Sequence, residues 1–476
     1  MIPVTVEHAA EVLGVTPVGG GDTQIAITSL VADSRTVSLG ALFVALRGER
    51  TDGHDFVTAA RANGAVAALV SRPVDAGLSL VVPDPLEGLA SLARDQVDQG
   101  HDRGMRVLAV TGSQGKTSTK DMLAQILEPH GATISPLGNL NNELGLPLTV
   151  GRISPDTRFL IAEMGARGIG HIAYLCRIAP PDVSMVLNVG VAHVGEFGGR
   201  AAIAQAKGEL VEALADDGVA VLNADDPLVW AMRSRTDAKV LAVGLATEPA
   251  WDSAVWASDL VSDAFDRFRF VLNSRLDDQM HCQVEVQLAL SGRHQVANSV
   301  AAAGAALAVG TPLKAIGTAL AKAQPRSRWR MELCTRADGV LVINDTYNAN
   351  PDSMRAAIDT LAEIGRGRSG GRTWAVLGDM LELGASSEVE HAALGRHVAK
   401  RGVSGLITVG DHAVVVAEAA IVAGMDPERV VVSRDRAEAV KQIQSDLAPA
   451  DVVLIKASRG LALDTVAEQI LSRHRA

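Results

Sequence analysis

The stretch Val107-Leu-Ala-Val-Thr-Gly-Ser-Gln-Gly-Lys-Thr-Ser-Thr119 leaves the chain little choice of local fold. It reads as a short apolar strand, a glycine loop, and a helix carried by Met122, Leu123, Ile126 and Leu127 that stops before Pro129 and Gly131. Such a strand–loop–helix aims several backbone N–H groups and a helix N-terminus at one small volume, which suits a phosphate. Lys116 would place a point charge on the outer phosphates, and Thr117 a hydroxyl on Mg²⁺. The strict phosphate-loop spacing requires a glycine at position 110, where this chain has Val110. The shorter Gly112-x-x-Gly115-Lys116-Thr117 remains, so Gly112, Ser113, Gln114, Gly115, Lys116, Thr117 and Ser118 are the candidate residues for a nucleoside triphosphate.

At 476 residues the chain has room for three domains of roughly 150 residues each. It is 47% hydrophobic, enough for real cores, and its net charge of −11 argues against nucleic acid as a partner. Cys176, Cys282 and Cys334 are too few and too scattered for a disulfide framework or a zinc site, and they fit a reducing cytosol. The N-terminus lacks the basic flank and apolar core of a signal peptide, and Ala-rich runs such as Val300 to Val309 are too short to span a bilayer. The expectation is a soluble cytoplasmic protein without an integral membrane segment.

Residues 1–83 read as a small α/β domain, with strands at Leu42–Leu46 and Ala65–Val70 and a helix between them. Two polar turns, Asp33-Ser34-Arg35 and the segment with Arg47, Gly48, Thr51 and His54, would recognise an anionic ligand if they meet at one sheet end. Residues 84–324 alternate strand and helix, as a parallel sheet does, and ligands then lie beyond the strands' carboxyl ends. Glu163 ends the run Phe159–Ala162, Asn188 ends Val183–Leu187 with His193 a few residues on, and Asn223 ends Val219–Leu222. Glu163 is the right type and place for a second carboxylate holding Mg²⁺. Lys207 falls in the apolar stripe of Ile203, Leu210, Val211 and Leu214, where an unpaired ammonium is costly. Either its stem snorkels outward or its nitrogen does chemistry or is modified.

The amide-rich loop Gly138–Pro147, with Asn139, Asn141 and Asn142, either forms turns or clamps a substrate. Residues 244–290 suggest an antiparallel addition, and an Ala-rich helix after Asn298 suggests close packing in the core. Residues 325–476 form a third, Rossmann-like α/β domain without a second phosphate loop. Its strands end in polar turns, among them Asp345 to Asn350, Asp379, Asp411 and Lys456. The link Arg326-Ser-Arg328-Trp-Arg330 would serve as a hinge as this domain closes over the nucleotide.

With these segments in view, the chain resembles the Mur ligases, cytoplasmic ATP-dependent amide-forming enzymes of peptidoglycan synthesis. The resemblance spans essentially the whole chain. It rests on Asp33-Ser-Arg-Thr-Val37 with Leu42-Phe-Val-Ala-Leu-Arg-Gly-Glu49, Thr111–Ser118, Asn141–Pro147, Glu163-Met-Gly-Ala166, Ala206-Lys-Gly-Glu209, Asn344–Ser353 and Gly378–Gly384. The last two are most similar to members that add D-alanyl-D-alanine to UDP-N-acetylmuramoyl-tripeptide. Members adding diaminopimelate or lysine usually carry Asp-Asn-Pro-Arg in the last domain, a tetrapeptide absent here.

The resemblance implies three domains: one for the UDP part of the substrate, a central ATPase domain, and a closing C-terminal domain. It implies that Lys116 and Thr117 hold the ATP phosphates and a Mg²⁺ that Glu163 ligates. His193 and Lys207 would serve a second Mg²⁺, with Lys207 carbamylated, which would turn a misplaced cation into a metal-binding anion. Asn298 would face the adenine, Arg330 the phosphates and Asp345 the ribose. Ser34, Arg35, Arg47, Gly48, Thr51, His54, Asn141, Asn142, Tyr347, Asn348 and Asn350 make up the candidate substrate set. Gln295 stands where the family usually has Asn, and it receives no role. A monomer is expected. The rival readings are another amide ligase of this type, such as a folylpolyglutamate synthetase or a different Mur step, and a phosphate-loop switch ATPase.

Overall fold

The computed structural model describes residues 1–138, 140–190, 199–245, 251–276 and 280–472. A two-stranded antiparallel pair, β1 (Val4–Thr5) with β2 (Ala26–Ile27), precedes three larger sheets. The first of these holds β3 (Ser29–Val31), β4 (Ala41–Val44), β5 (Ala65–Val70) and β6 (Ser79–Val81), parallel and in that order. Only β4 and β5 stand out in the sequence, because three residues are too few to show a periodicity. The turns at 33–35 and 47–54 follow the carboxyl ends of the neighbouring parallel strands β3 and β4, and so share one sheet edge.

The central sheet has nine strands: β7 (Arg106–Thr111), β8 (Ala132–Ile134), β9 (Thr157–Glu163), β10 (Val183–Val186), β11 (Val219–Asn223), β12 (Lys239–Gly244), β13 (Ala254–Ser262), β14 (Arg267–Arg275) and β15 (Cys282–Ser291). Their spatial order is β8-β9-β7-β10-β11-β12-β13-β14-β15. The order reverses at β7, whose neighbours β9 and β10 diverge in chain position, so the phosphate loop emerges at the switch point of the sheet. The apolar run of β7 is continuous because both its faces are covered. Leu108 and Val110 face one core, with residues of the helices Lys116–Leu127 and Arg293–Ala308. Val107 and Ala109 face the other, with residues of Pro85–Asp102, His171–Ile178 and Arg200–Glu212. Each fully buried Leu or Val contributes about 1.5–3 kcal/mol to that layering.

The Ala-rich helix Arg293–Ala308 lies close on the sheet, and a Cβ at Gly304 would stand 2.9 Å from Val243 Cγ1. The antiparallel addition expected over 244–290 begins one strand later than the pattern suggests. β13 joins β12 in parallel, and the antiparallel pairings are β13 with β14 and β14 with β15. The turn between β13 and β14 leaves its own sheet, and Phe265 packs against the core of the last domain.

That last sheet contains β16 (Glu332–Thr335), β17 (Leu341–Asn344), β18 (Thr373–Gly378), β19 (Gly405–Val409), β20 (Val430–Ser433) and β21 (Val452–Lys456), in the order β16-β17-β21-β18-β19-β20. All but β16 are parallel. The link into it is strapped to the helix Lys116–Leu127. Gln125 and Gln324 exchange hydrogen bonds of 3.0 and 2.9 Å, Asp121 Oδ2 accepts from the Ser327 amide at 3.1 Å, and Arg326 pairs with Glu128. Beyond that strap Trp329 and Met331 take left-handed φ values of 61° and 50°, turning the chain sharply on either side of Arg330.

Candidate active site

The phosphate loop is shaped by what surrounds it. Gly115 has φ 82° and caps the helix Lys116–Leu127 without a side chain, and a Cβ there would lie 2.4 Å from Asn298 Oδ1. Asn188, just past β10, holds the loop from the other side. Its Oδ1 accepts from the amides of Ser113 (2.9 Å) and Gln114 (3.0 Å), and its Nδ2 donates to the Gln114 carbonyl at 3.1 Å. Lys116 Nζ donates to the Gly112 carbonyl at 2.7 Å, folding the ammonium across the loop. Burial lowers the Lys116 pKa, and the Glu163 charge opposes that shift.

Glu163, the last residue of β9, is 1% exposed. Its Oε2 accepts from Thr117 Oγ1 and its Oε1 from Asn141 Nδ2, each at 2.9 Å. A hydroxyl and a carboxylate beside a phosphate loop are hard oxygen donors of the kind Mg²⁺ takes. Among the described residues no group of three or more His, Cys, Asp or Glu could hold a metal by itself. A magnesium ion here would therefore complete its shell with phosphate oxygens and water.

Lys207, on the helix Arg200–Glu212, is 6% exposed, so its stem does not carry the nitrogen out to solvent. Burial first, and then the like charge of Lys116, push it well below the ordinary lysine value. The buried nitrogen is therefore biased toward the neutral amine. Two residues on, Glu209 accepts from the amides of Gly170 (2.6 Å) and Ala173 (2.9 Å), fastening the N-terminus of the helix His171–Ile178. His193, expected beside Lys207, lies outside the described residues.

The last domain supplies the opposite wall. Arg330 lies over the Tyr347 ring at 3.9 Å. Asp345 accepts from the Met331 amide at 3.1 Å and from Lys456 Nζ at 2.6 Å, and Lys456 also donates to the Asn348 carbonyl at 2.9 Å. Asn350 caps the helix Pro351–Gly367 in a box with Ser353, and its Nδ2 reaches the Ser113 carbonyl at 3.4 Å. A single long hydrogen bond of this kind is worth about 1 kcal/mol at most.

These residues line one cleft of about 520 Å³. It gathers the loop from Gly112 to Ser118 with Asn141, Asn142, Glu163, Lys207, Asn298, Arg330, Asp345, Tyr347, Asn348 and Asn350. It also holds His294, Gln295 and Lys456, to which the sequence reading gave no role. Gln295 Oε1 accepts from Asn298 Nδ2 at 3.1 Å, so this longer amide orients the residue expected at the base. Burial pushes half-buried His294 down to about 4, against the favourable charge of Asp345 and with the repulsion of Lys456.

Six candidates lie elsewhere, on the first sheet. The backbones of Arg47 and Asp52 form an isolated antiparallel β-bridge, and the Gly48 amide donates to the Thr51 carbonyl at 2.9 Å, which closes a tight turn. Ser34 opens a short 3-10 turn capped by Asp33, and Arg35 is exposed and paired with Asp33 at 2.7 Å. His54 is turned inward. Its Nδ1 meets Asp52 Oδ1 at 2.6 Å and its Nε2 accepts from the Ser71 amide at 2.9 Å, so it braces the turn and offers no free ring nitrogen.

Three family models match consecutive parts of the chain: "Mur ligase family, catalytic domain" at residues 26–96, "Mur ligase middle domain" at 110–306, and "Mur ligase, glutamate ligase domain" at 329–459. A UDP-N-acetylmuramoyl-tripeptide–D-alanyl-D-alanine ligase of Mycobacterium leprae is 41% identical over 99% of both chains. The Escherichia coli enzyme of that name is 36% identical over 98% of both. Among solved structures, MurF from Acinetobacter baumannii superposes with a TM-score of 0.86 at 33% identity over 99% of both chains. MurF ligase from Thermotoga maritima in complex with ADP gives 0.77 at 29% identity over 93% and 97%.

Two outcomes follow from the geometry of the cleft. Gly115→Ala drives a methyl group into Asn298, and titration calorimetry should record ATP affinity weakened by on the order of 100-fold, with near wild-type affinity as the contrary result. His294 is neutral in the fold, with its pKa lowered from 6.5 to about 4, so its contribution is complete above 6.5 and is lost as pH falls through 4. Unfolding free energies across that window should drop less steeply in His294→Gln, and parallel profiles would refute this.

Proposed function

The chain belongs to the Mur ligase family, and on that premise we propose that it joins D-alanyl-D-alanine to UDP-N-acetylmuramoyl-tripeptide at the expense of ATP. One observation carries the reading. Lys116, Thr117 and Glu163 on the central domain and Arg330, Asp345 and Tyr347 on the last line a single cleft. A γ-phosphoryl group there is reached by cations from both sides.

In this reading the terminal carboxylate of the tripeptide attacks the γ-phosphoryl group, and ADP leaves. Lys116 and Arg330 stabilise the charge spreading over the transferred oxygens. Thr117 and Glu163 would hold a magnesium ion, which would supply further neutralisation of the phosphates. The amine of D-alanyl-D-alanine then attacks the acyl phosphate, giving the amide and free phosphate. Asn350 and Tyr347, carried by the last domain, help to shut out water that would hydrolyse the intermediate. Asn298, held by Gln295, takes the base beside a hollow of about 220 Å³ that Asn223, Gly244 and Ala301 also line. Asp345 takes the ribose with Lys456 as its counter-ion. The edge carrying Ser34, Arg35, Arg47, Gly48 and Thr51 receives the UDP part.

Burial and the neighbouring Lys116 charge favour, at Lys207, the neutral amine that carbamylation requires. A neutral amine adds CO₂ at its lone pair and releases a proton, and the carbamate so formed is an anion able to serve a second magnesium ion together with His193. Among the described residues no helix is long and apolar enough to cross a membrane.

A likeness to a diaminopimelate-adding ligase, at 21% identity and a TM-score of 0.53, extends to the fold alone. Phosphate release should require UDP-N-acetylmuramoyl-tripeptide and D-alanyl-D-alanine together, with Lys116→Ala as the inactive control. Release that proceeds without either substrate, or that needs a macromolecule, removes this reading in favour of a switch ATPase. Lys207→Ala should lose activity by on the order of 100-fold or more and regain part of it with a small carboxylic acid. Full turnover by the unsupplemented variant would dispose of the carbamate.

A further inference from the structure

A second cavity, of about 360 Å³, opens off the ATP cleft. It shares Glu143, Gly165 and His171 with that cleft. Its far wall is Leu86 and Glu87 on the helix Pro85–Asp102, with Tyr174 and Arg177 on the helix His171–Ile178. Every residue around it precedes position 178, and none comes from the last domain. The helix Pro85–Asp102 packs Leu89 and Leu92 into the core of the first sheet and Ala90, Ala93 and Val97 into that of the central one. The cavity therefore lies on the route from the first domain to the phosphate loop.

Its wall is built rather than incidental. The helix His171–Ile178 has no side-chain cap of its own, and Glu209 closes its N-terminus from the helix that carries Lys207. The Tyr174 hydroxyl is shut off from solvent without a hydrogen bond of normal length, although Glu87 faces it closely enough to raise its pKa beyond what burial does. The Arg177 guanidinium sits 5.2 Å from the Tyr174 ring centroid. Among the described residues, Glu87, Glu143 and Arg177 enter no ion pair. The cavity thus presents two carboxylates, one guanidinium and a phenol that faces one of those carboxylates, Glu87.

Given the ligase reading above, the residue whose carboxylate reacts is the third of the tripeptide, and its side chain must leave the reaction centre into nearby space. Gly165, at the mouth of the cavity, is two residues past Glu163 and so within about 7 Å along the chain. Lysine would bring an ammonium alone. Diaminopimelate would bring an ammonium and a carboxylate on one carbon. We infer that this cavity receives the third side chain and is built for the zwitterionic end, its ammonium on Glu143 and Glu87 and its carboxylate on Arg177 and the Tyr174 hydroxyl.

The test is kcat/KM for the two UDP-N-acetylmuramoyl-tripeptides, one ending in diaminopimelate and one in lysine, with KM for ATP followed alongside. The diaminopimelate form should be preferred by at least about tenfold. Arg177→Gln should lower its kcat/KM about tenfold more than that of the lysine form, and Tyr174→Phe should do the same to a smaller degree, both without moving KM for ATP. Equal use of the two tripeptides by the wild type, or a ratio unchanged in both variants, overturns the assignment while leaving the ligase reading intact. Turnover of neither tripeptide removes the ligase reading and this assignment with it.

Discussion

A buried carboxylate sets the terms for the centre of this molecule. Glu163 accepts hydrogen bonds from Thr117 of the phosphate-loop helix and from Asn141 of the amide-rich loop. Those two donors come from separate segments of the chain, converging on one strand end. Burying a carboxylate with its oxygens unmatched costs several kcal/mol, so the strand end, the helix and the loop are committed to one arrangement. That arrangement leaves the outward side of the carboxylate facing the space where phosphates would sit. The same contacts therefore hold the carboxylate, the phosphate-loop helix and the amide-rich loop in one fixed relation.

Around this point small polar residues act at second hand. Asn188 gives the loop its curve, Gln295 sets Asn298, and Glu209 fastens a helix whose far face lines the side cavity. Each joins positions far apart in the chain, Ser113 to Asn188 and Gly170 to Glu209 among them. This is why they escape a reading of local pattern. Gln295 departs from the family's usual Asn, yet its extra methylene still leaves the amide within reach of Asn298.

What a linear reading recovers here is whatever one segment displays by itself. The strand–loop–helix at 107–127 shows a break in periodicity with a lysine placed at it, and Lys207 shows a charge inside an apolar stripe. Strands of three residues show nothing, so β3 and β6 went unread. The direction of β13 depends on how the chain returns to β12, which no alternation of side chains encodes. On the first sheet, the motif at 47–54 was correctly seen as a polar turn, but whether His54 points in or out is decided by Asp52 and Ser71.

The strap between the linker and the phosphate-loop helix has a consequence in terms of concentration. Ser327 is pinned to Asp121, and Arg330 follows three residues later. A residue three positions from a fixed point stays within about 10 Å of it however the chain turns. One α-carbon confined to a sphere of that radius is present at roughly 0.4 M. The helix that supplies Lys116 thus keeps Arg330 on a short leash, and opening the last domain dilutes its other residues far more than it dilutes this one.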